Sequence, residues 1–305
     1  MRRPFAHFAA VASALLFPVA AWGADAPADE KQLLRAVQSG GGRVGLREPN
    51  VESGRVTSID FGLSDEIDDA ALKALKGFPG LTTVDLSGSN ITDDGLKHLR
   101  EVKSLTSIYL SDSEITDIGL AELIGLDKLV VLDLPGGITD QGLQKLTALK
   151  NIQVLFLVGE EITDRGLEHL AKLPKLHSLH LEATKASAAG LRYFKNSKSL
   201  VELNLSDCEL SEDEFKAIAE INSLRRLQLP LTSTSNAAIV FIKQMTELER
   251  LDLSDTKVTD AGVLELTTLR KLVELNLMDT EATAAAATEL RKALPNLKVT
   301  VGKSR

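Results

Sequence analysis

The sequence predicts an α/β solenoid, in which short strands and short helices alternate and successive units stack side by side. Three observations predict it. The pattern L-x-x-L-x-L recurs with its first position at Val56, Leu81, Leu105, Leu129, Ile152, Leu176, Leu200, Leu224, Leu248 and Leu272. Successive starts lie 23 to 25 residues apart, and a further step of 25 reaches Leu297. Aromatic residues are only 4% of the 305 while hydrophobic residues are 44%, so the core has to be built from a branched aliphatic residue in a repeated packing unit.

Residues 1–23 read as a leader and not as part of the fold. Arg2 and Arg3 are followed by an apolar run from Phe8 to Ala21, broken only by Ser13. Ala21-Trp22-Gly23 then offers small residues at a cleavage site, which is the pattern of a secretory signal peptide. The run is too short for a membrane-spanning helix. Cleavage after Gly23 would leave 33 basic against 43 acidic residues, a net charge of −10. The single cysteine, Cys208, permits no intramolecular disulfide. The acidic balance argues against a nucleic-acid partner, which needs a basic face.

Residues 24–55 are expected to cap the open end of the stack. Ala28–Val37 reads as a helix closed by Ser39-Gly40-Gly41-Gly42, followed by two short strands, Arg43 to Leu46 and Val51 to Phe61, around a turn at Glu48-Pro49-Asn50. Ten repeats then fill 56–301, ending in a closing strand from Leu297 to Val301, with 302–305 as a tail.

Each repeat has two halves. The first is a strand such as Val84-Asp85-Leu86, whose alternation buries every second side chain. The second places apolar residues three apart, as in Leu96, Leu99 and Val102, which gives a narrow apolar stripe on a short helix. Helix starts share the motif I-T-D-x-G-L, at Ile91–Leu96, Ile115–Leu120, Ile138–Leu143 and Ile162–Leu167, with a close copy at Val258–Val263. Thr is the N-cap, Asp suits the helix dipole, and Gly allows close approach of neighbouring helices. Three residues past the last strand leucine stands Ser89, Ser113, Thr184, Cys208, Thr232, Thr256 or Thr280, where a small polar side chain satisfies backbone groups of the turn. Cys208 is thereby read as structural. Glu160 breaks the rule, and the repeat beginning at Leu129 lacks one residue, so an irregularity is expected between Pro135 and Glu161.

On these residues the chain resembles the leucine-rich-repeat family. Its I-T-D-x-G-L units are similar to those of bacterial exported members, and more distantly to ribonuclease-inhibitor-like and F-box-associated repeats. The resemblance covers Val56 to Val301. It implies a right-handed horseshoe arc with the parallel sheet on the concave side and helices on the convex side. It implies little about function, because such folds bind many unrelated partners. No F-box stands ahead of the repeats, so a ubiquitin-ligase adaptor role does not carry over.

No motif for chemistry emerges. H-E-x-x-H, G-x-S-x-G and a Walker loop are all missing from the sequence. His98 and His169 are expected on the convex surface. His177 and His180 should diverge, His180 facing the concave side. Asp60, Asp85, Asp133 and Asp252 share one concave column and are read as solvated carboxylates in preference to a calcium ladder. No enzyme activity, cofactor or metal is expected.

The concave face carries the candidate site. Tyr109, Val131, Pro135, Val154, Phe156 and Val158 gather in three adjacent repeats, with His180 alongside. A contiguous apolar and aromatic cluster rimmed by polar residues marks a binding patch. Farther on, Glu202, Arg226, Arg250 and Glu274 are read as a solvated, cross-paired ladder. The sequence thus points to an exported, non-catalytic module that binds a protein partner. An envelope scaffold without a discrete site is the alternative, and an enzyme with a scattered site a more remote one.

Overall fold

The computed structural model describes residues 43–46, 56–62, 67–159, 161–185 and 187–304. The leader, the Ala28–Val37 helix, the turn at 48–50 and Glu160 lie outside the described residues.

Among the described residues twelve strands form one open sheet in chain order: β1 Arg43–Leu46, β2 Val56–Asp60, β3 Thr83–Asp85, β4 Ser107–Tyr109, β5 Val131–Asp133, β6 Val154–Val158, β7 Ser178–Glu182, β8 Glu202–Asn204, β9 Arg226–Gln228, β10 Arg250–Asp252, β11 Glu274–Met278 and β12 Lys298–Gly302. β1 pairs antiparallel with β2 and every later pair is parallel. Among the described residues nine α-helices alternate with the strands: α1 Asp93–Leu99, α2 Asp117–Leu120, α3 Asp140–Leu146, α4 Asp164–Leu170, α5 Ala188–Leu191, α6 Glu212–Ala219, α7 Asn236–Ile242, α8 Asp260–Glu265 and α9 Ala284–Ala293. In the first full repeat a 3₁₀ helix, Ala71–Gly77, takes this place. The fold is the α/β solenoid that the repeats predict.

Most helices are two turns or less, too short to persist alone in water. What holds them is the stack. The strand leucines, the repeat-opening residues and the helix stripe form one continuous cluster from Val56 to Leu297. Leu96, Leu99, Leu120, Leu123, Leu167 and Leu170 are all fully buried. Each unit buries its apolar faces only against its neighbours, which is why one unit could not fold by itself.

The small polar residue after each strand behaves as its chemistry requires. Ser89, Ser113, Thr184, Thr232, Thr256 and Thr280 each donate a hydroxyl to the carbonyl of the strand leucine three residues earlier, at 2.6–3.1 Å. Cys208 is buried and reaches one repeat back, donating its thiol to Leu181 O at 3.0 Å. Burial pushes the Cys208 thiol above its ordinary pKa, which suppresses the reactive thiolate. Cys208→Thr, the residue of four sister repeats, should shift unfolding free energy by less than about 1 kcal/mol. The wild-type thiol should react with a disulfide reagent only as fast as the chain unfolds.

The turn after each strand enters the left-handed region at a fixed place. Gly88, Asp112, Ala183, Asp207, Leu231, Asp255 and Asp279 all have φ between 51° and 64° there. Two repeats depart. Gly159 takes φ 127°, where a non-glycine residue would be strained, and Gly136 has no positive φ. A Cβ on Gly159 would lie 2.7 Å from Gly136 O. The repeat that is one residue short turns at Gly136-Gly137 without the left-handed residue, and Gly159 of the next repeat approaches Gly136 closely. The irregularity expected between Pro135 and Glu161 is therefore present on its described side.

The I-T-D-x-G-L motif does more than the sequence suggested. Thr92, Thr116, Thr139 and Thr163 do cap their helices, each accepting from the N–H two residues on. The Asp, however, reaches forward to the next repeat. Asp69, Asp93, Asp117 and Asp140 each accept both the N–H and the hydroxyl of the following cap threonine, at 2.6–3.0 Å. Asp164 does the same for Ser187, and Asp260 for Thr283. Asn236 replaces the carboxylate opposite Thr259. This lateral clasp ties these helix starts to their neighbours; the starts at Ser211 and Ser235 are arranged differently.

Candidate functional site

Strand register fixes what lies side by side on the sheet's open face. One column runs Asp60, Asp85, Tyr109, Asp133, Phe156, His180, Asn204, Gln228, Asp252 and Asn276 as successive Cα partners. The next runs Ser58, Thr83, Ser107, Val131, Val154, Ser178, Glu202, Arg226, Arg250 and Glu274. Both agree with the alternation read from the sequence.

Within this frame Val131 and Val154 are direct partners on β5 and β6, and Val158 lies beside Glu182. Tyr109, Val131, Val154, Phe156, Val158 and His180 are all half-buried. The Phe156 and His180 rings stack with centroids 4.2 Å apart and planes at 28°. Pro135 is different. It is buried in the shortened turn and adds no exposed surface to the patch.

Asp133 also departs from expectation. It is 1% exposed, not solvated. Its column explains why. In five other members the side-chain oxygen accepts the N–H two residues on: Asp60 from Gly62, Asp85 from Ser87, Asn204 from Ser206, Asp252 from Ser254 and Asn276 from Met278, at 2.8–3.1 Å. Two residues after Asp133 stands Pro135, which has no N–H to give. Ser111 of the preceding repeat supplies hydrogen bonds in its place. Oδ2 of Asp133 is sealed from water and accepts none. Burial, and then the nearby Asp85 and Asp112 carboxylates, push its pKa up to about 7, with Ser111 opposing. Burial also raises the Asp85 carboxyl, and burial together with Asp85 and Asp133 raises the Tyr109 phenol. The signal was in the sequence: D-x-P at 133–135 where these five sister turns have D-x-G, D-x-S, N-x-S or N-x-M.

A Ser–His–Asn arrangement lies next to the patch. Ser178 Oγ is 3.0 Å from His180 Nε2, and His180 Nδ1 is 3.3 Å from Asn204 Nδ2. Its wiring opposes nucleophilic use. Asn204 Oδ1 is occupied by the N–H and hydroxyl of Ser206, and Nδ2 also donates to Glu182 at 2.9 Å. The amide nitrogen therefore faces His180, whose Nδ1 must accept and whose Nε2 carries the proton. Nε2–H then donates to the serine and cannot act as its base. His98 and His169 are half-buried and apart from this network, and His177 is exposed. Among the described residues no three His, Cys, Asp or Glu side chains are grouped to hold a metal ion.

The architecture defines a class, the open repeat solenoid with a parallel sheet on one side and short helices on the other. Two family models, both described as leucine-rich repeat, match residues 79–136 and 244–266. These two segments are thus leucine-rich repeats, and the remaining repeats continue them in the same strand register. Among solved structures, an internalin from Listeria monocytogenes is similar at 15% identity, over 91% of this chain and 95% of its own, with a TM-score of 0.47. Internalin C2 from the same organism is similar at 21% identity, over 77% and 84%, with a TM-score of 0.40. No curated protein matches the chain in sequence. Among the described residues no helix is long and apolar enough to cross a membrane.

Proposed function

We propose that the chain is a non-catalytic, exported protein-interaction module that binds a partner through the concave cluster of Tyr109, Val131, Val154, Phe156 and Val158, with His180 at its rim. The observation that carries this reading is contiguity. Val131 and Val154 are lateral partners, while Phe156 lies between Asp133 and His180 and stacks on the latter. Single apolar residues on a sheet surface are ordinary, but an apolar group with aromatic members on adjacent strands, here broken only by the buried Asp133, is the usual centre of an interface. The export reading rests on residues 1–23, and a mature chain beginning at Ala24 would support it.

Against the scaffold alternative, dependence on this one patch is decisive. Immobilised mature protein should capture a partner from envelope or secreted fractions of its source. The triple substitution Tyr109→Glu, Val154→Glu, Phe156→Glu should abolish capture, since interface centres tolerate charge poorly and single hot spots are worth about 2 kcal/mol or more. Circular dichroism and a melting curve check that the variant folds. Undiminished capture by the folded variant would move the site elsewhere.

A further inference from the structure

We propose that the far half of the same face carries a second site, on β8–β12, which takes a single side-chain carboxylate of an otherwise neutral peptide segment between Arg226 and Arg250. It lies beyond the apolar cluster and stands independently of it.

The charge order across the strands is the first observation. Glu202, Arg226, Arg250, Glu274 and Lys298 are successive Cα partners on β8 to β12. A ladder built only for stability would alternate sign, because like charges directly opposite repel. Here two arginines are adjacent, and each pairs outward: Arg226 Nη1 with Glu202 at 3.4 Å, Arg250 Nε with Glu274 at 3.2 Å. Two neighbouring guanidiniums are left with most of their five N–H donors each unspent.

The second observation is the space and the exposed guanidiniums beside it. The arginines line an open cavity of about 550 Å³ that runs along the face from Glu202 to Thr300. Arg226 Nε is shut off from water, so a ligand would be held by the outer N–H groups of the two side chains, which are 40% and 50% exposed. A carboxylate placed between the guanidiniums would separate two like charges and accept paired N–H bonds, the geometry that favours arginine over lysine. Glu202, Asp252 and Glu274 border the same cavity, and the chain carries a net charge of −8. That surround repels polyanions, nucleic acid among them, and suits a single carboxylate flanked by neutral residues.

The test uses the full chain labelled with ¹⁵N-arginine, following the Nε–H resonances. The probes are the peptide acetyl-Gly-Ser-Glu-Ser-Gly-amide, its Gln counterpart, and inorganic phosphate. The Glu peptide should shift Arg226 and Arg250 together and saturate in the millimolar range, and the Gln peptide should leave both in place. Arg226→Gln should weaken binding about tenfold, whereas Arg192→Gln, on the 3₁₀ turn Arg192–Phe194 outside the cavity lining, should not. The wild-type titration decides by itself, so it stands even if a substituted chain folds poorly. No shift by about 10 mM Glu peptide, an equal shift with the Gln peptide, or tighter saturation by phosphate would each overturn the assignment.

Discussion

Asp133→Asn is expected to leave stability nearly unchanged at about pH 4 and to raise it by about 3–4 kcal/mol at about pH 8. The sign follows from linkage. In the unfolded chain Asp133 ionises near the ordinary 3.8, while in the fold burial holds its proton until about pH 7. Between those values the folded state binds the extra proton, so stability falls as pH rises, and the loss is complete above about 7. An asparagine is the neutral isostere and escapes the loss. Asn204 and Asn276 already occupy this column in sister repeats, where the side chain also donates to a neighbouring carboxylate, Glu182 or Asp252. Denaturant unfolding of wild type and variant from pH 4 to 9 measures the difference directly, and the difference curve cancels the other carboxylates. Two parallel curves would show that Asp133 is ionised in the fold throughout.

The same substitution bears on the proposed patch, because Asp133 lies between Tyr109 and Phe156 in register. The residue that shortens hydrogen bonding there, Pro135, belongs to the one repeat that lost a residue. Loss of the turn donor, burial of the carboxylate and the aromatic cluster thus coincide in β4–β6.

Fold and register were legible because they rest on spacing. Leucines at fixed intervals leave one way to stack, and the alternation assigns each strand residue to a face. The interior of the turns was legible where a side chain serves its own backbone, as Ser89 and Thr256 do. What sequence reading missed are the bonds that cross between repeats. Asp93 was assigned to the dipole of its own helix, yet it clasps Thr116, 23 residues on. Asp133 was taken as solvated because acids on a strand face usually are, and the decisive fact was a proline's missing N–H two positions away. Pro135 was counted as surface for want of the turn's true path. Pairing of the charged stripe was foreseen, but not the orphaned Arg226 Nε, which depends on where side chains end.

Gly142→Ala should destabilise the chain by about 2 kcal/mol, against the usual direction for a helical glycine, where alanine gains about 0.5–1. A Cβ at Gly142 would come within 3.0 Å of the Asp117 carboxylate. Asp117 cannot yield freely, since that carboxylate holds the N–H and hydroxyl of Thr139 at 3.0 and 2.6 Å. Hydrogen bonds to a charged acceptor contribute about 1.5–3 kcal/mol when fully formed, less where water competes, as at this half-buried site. The chain contains its own comparison. Gly95, Gly119, Gly166 and Gly190 all face an Asp clasp in the same way, and Gly262 faces Asn236. The positions equivalent to them after Ser211 and Ser235 are Glu214 and Ala238. There the clasp is missing: Ser211 is capped by Glu214 instead, and Ser235 makes no side-chain cap. Ala286 in α9 is the exception, coexisting with the Asp260–Thr283 clasp. The decisive measurement is a double-mutant cycle by denaturant unfolding. In an Asp117→Ala background the carboxylate is gone, and Gly142→Ala should become neutral or stabilising, a coupling of about 2–3 kcal/mol. Equal destabilisation in both backgrounds would mean that the glycine answers to Ile138, whose Cγ2 lies 3.0 Å from the same Cβ position, and that the clasp is not the reason for the motif's glycine.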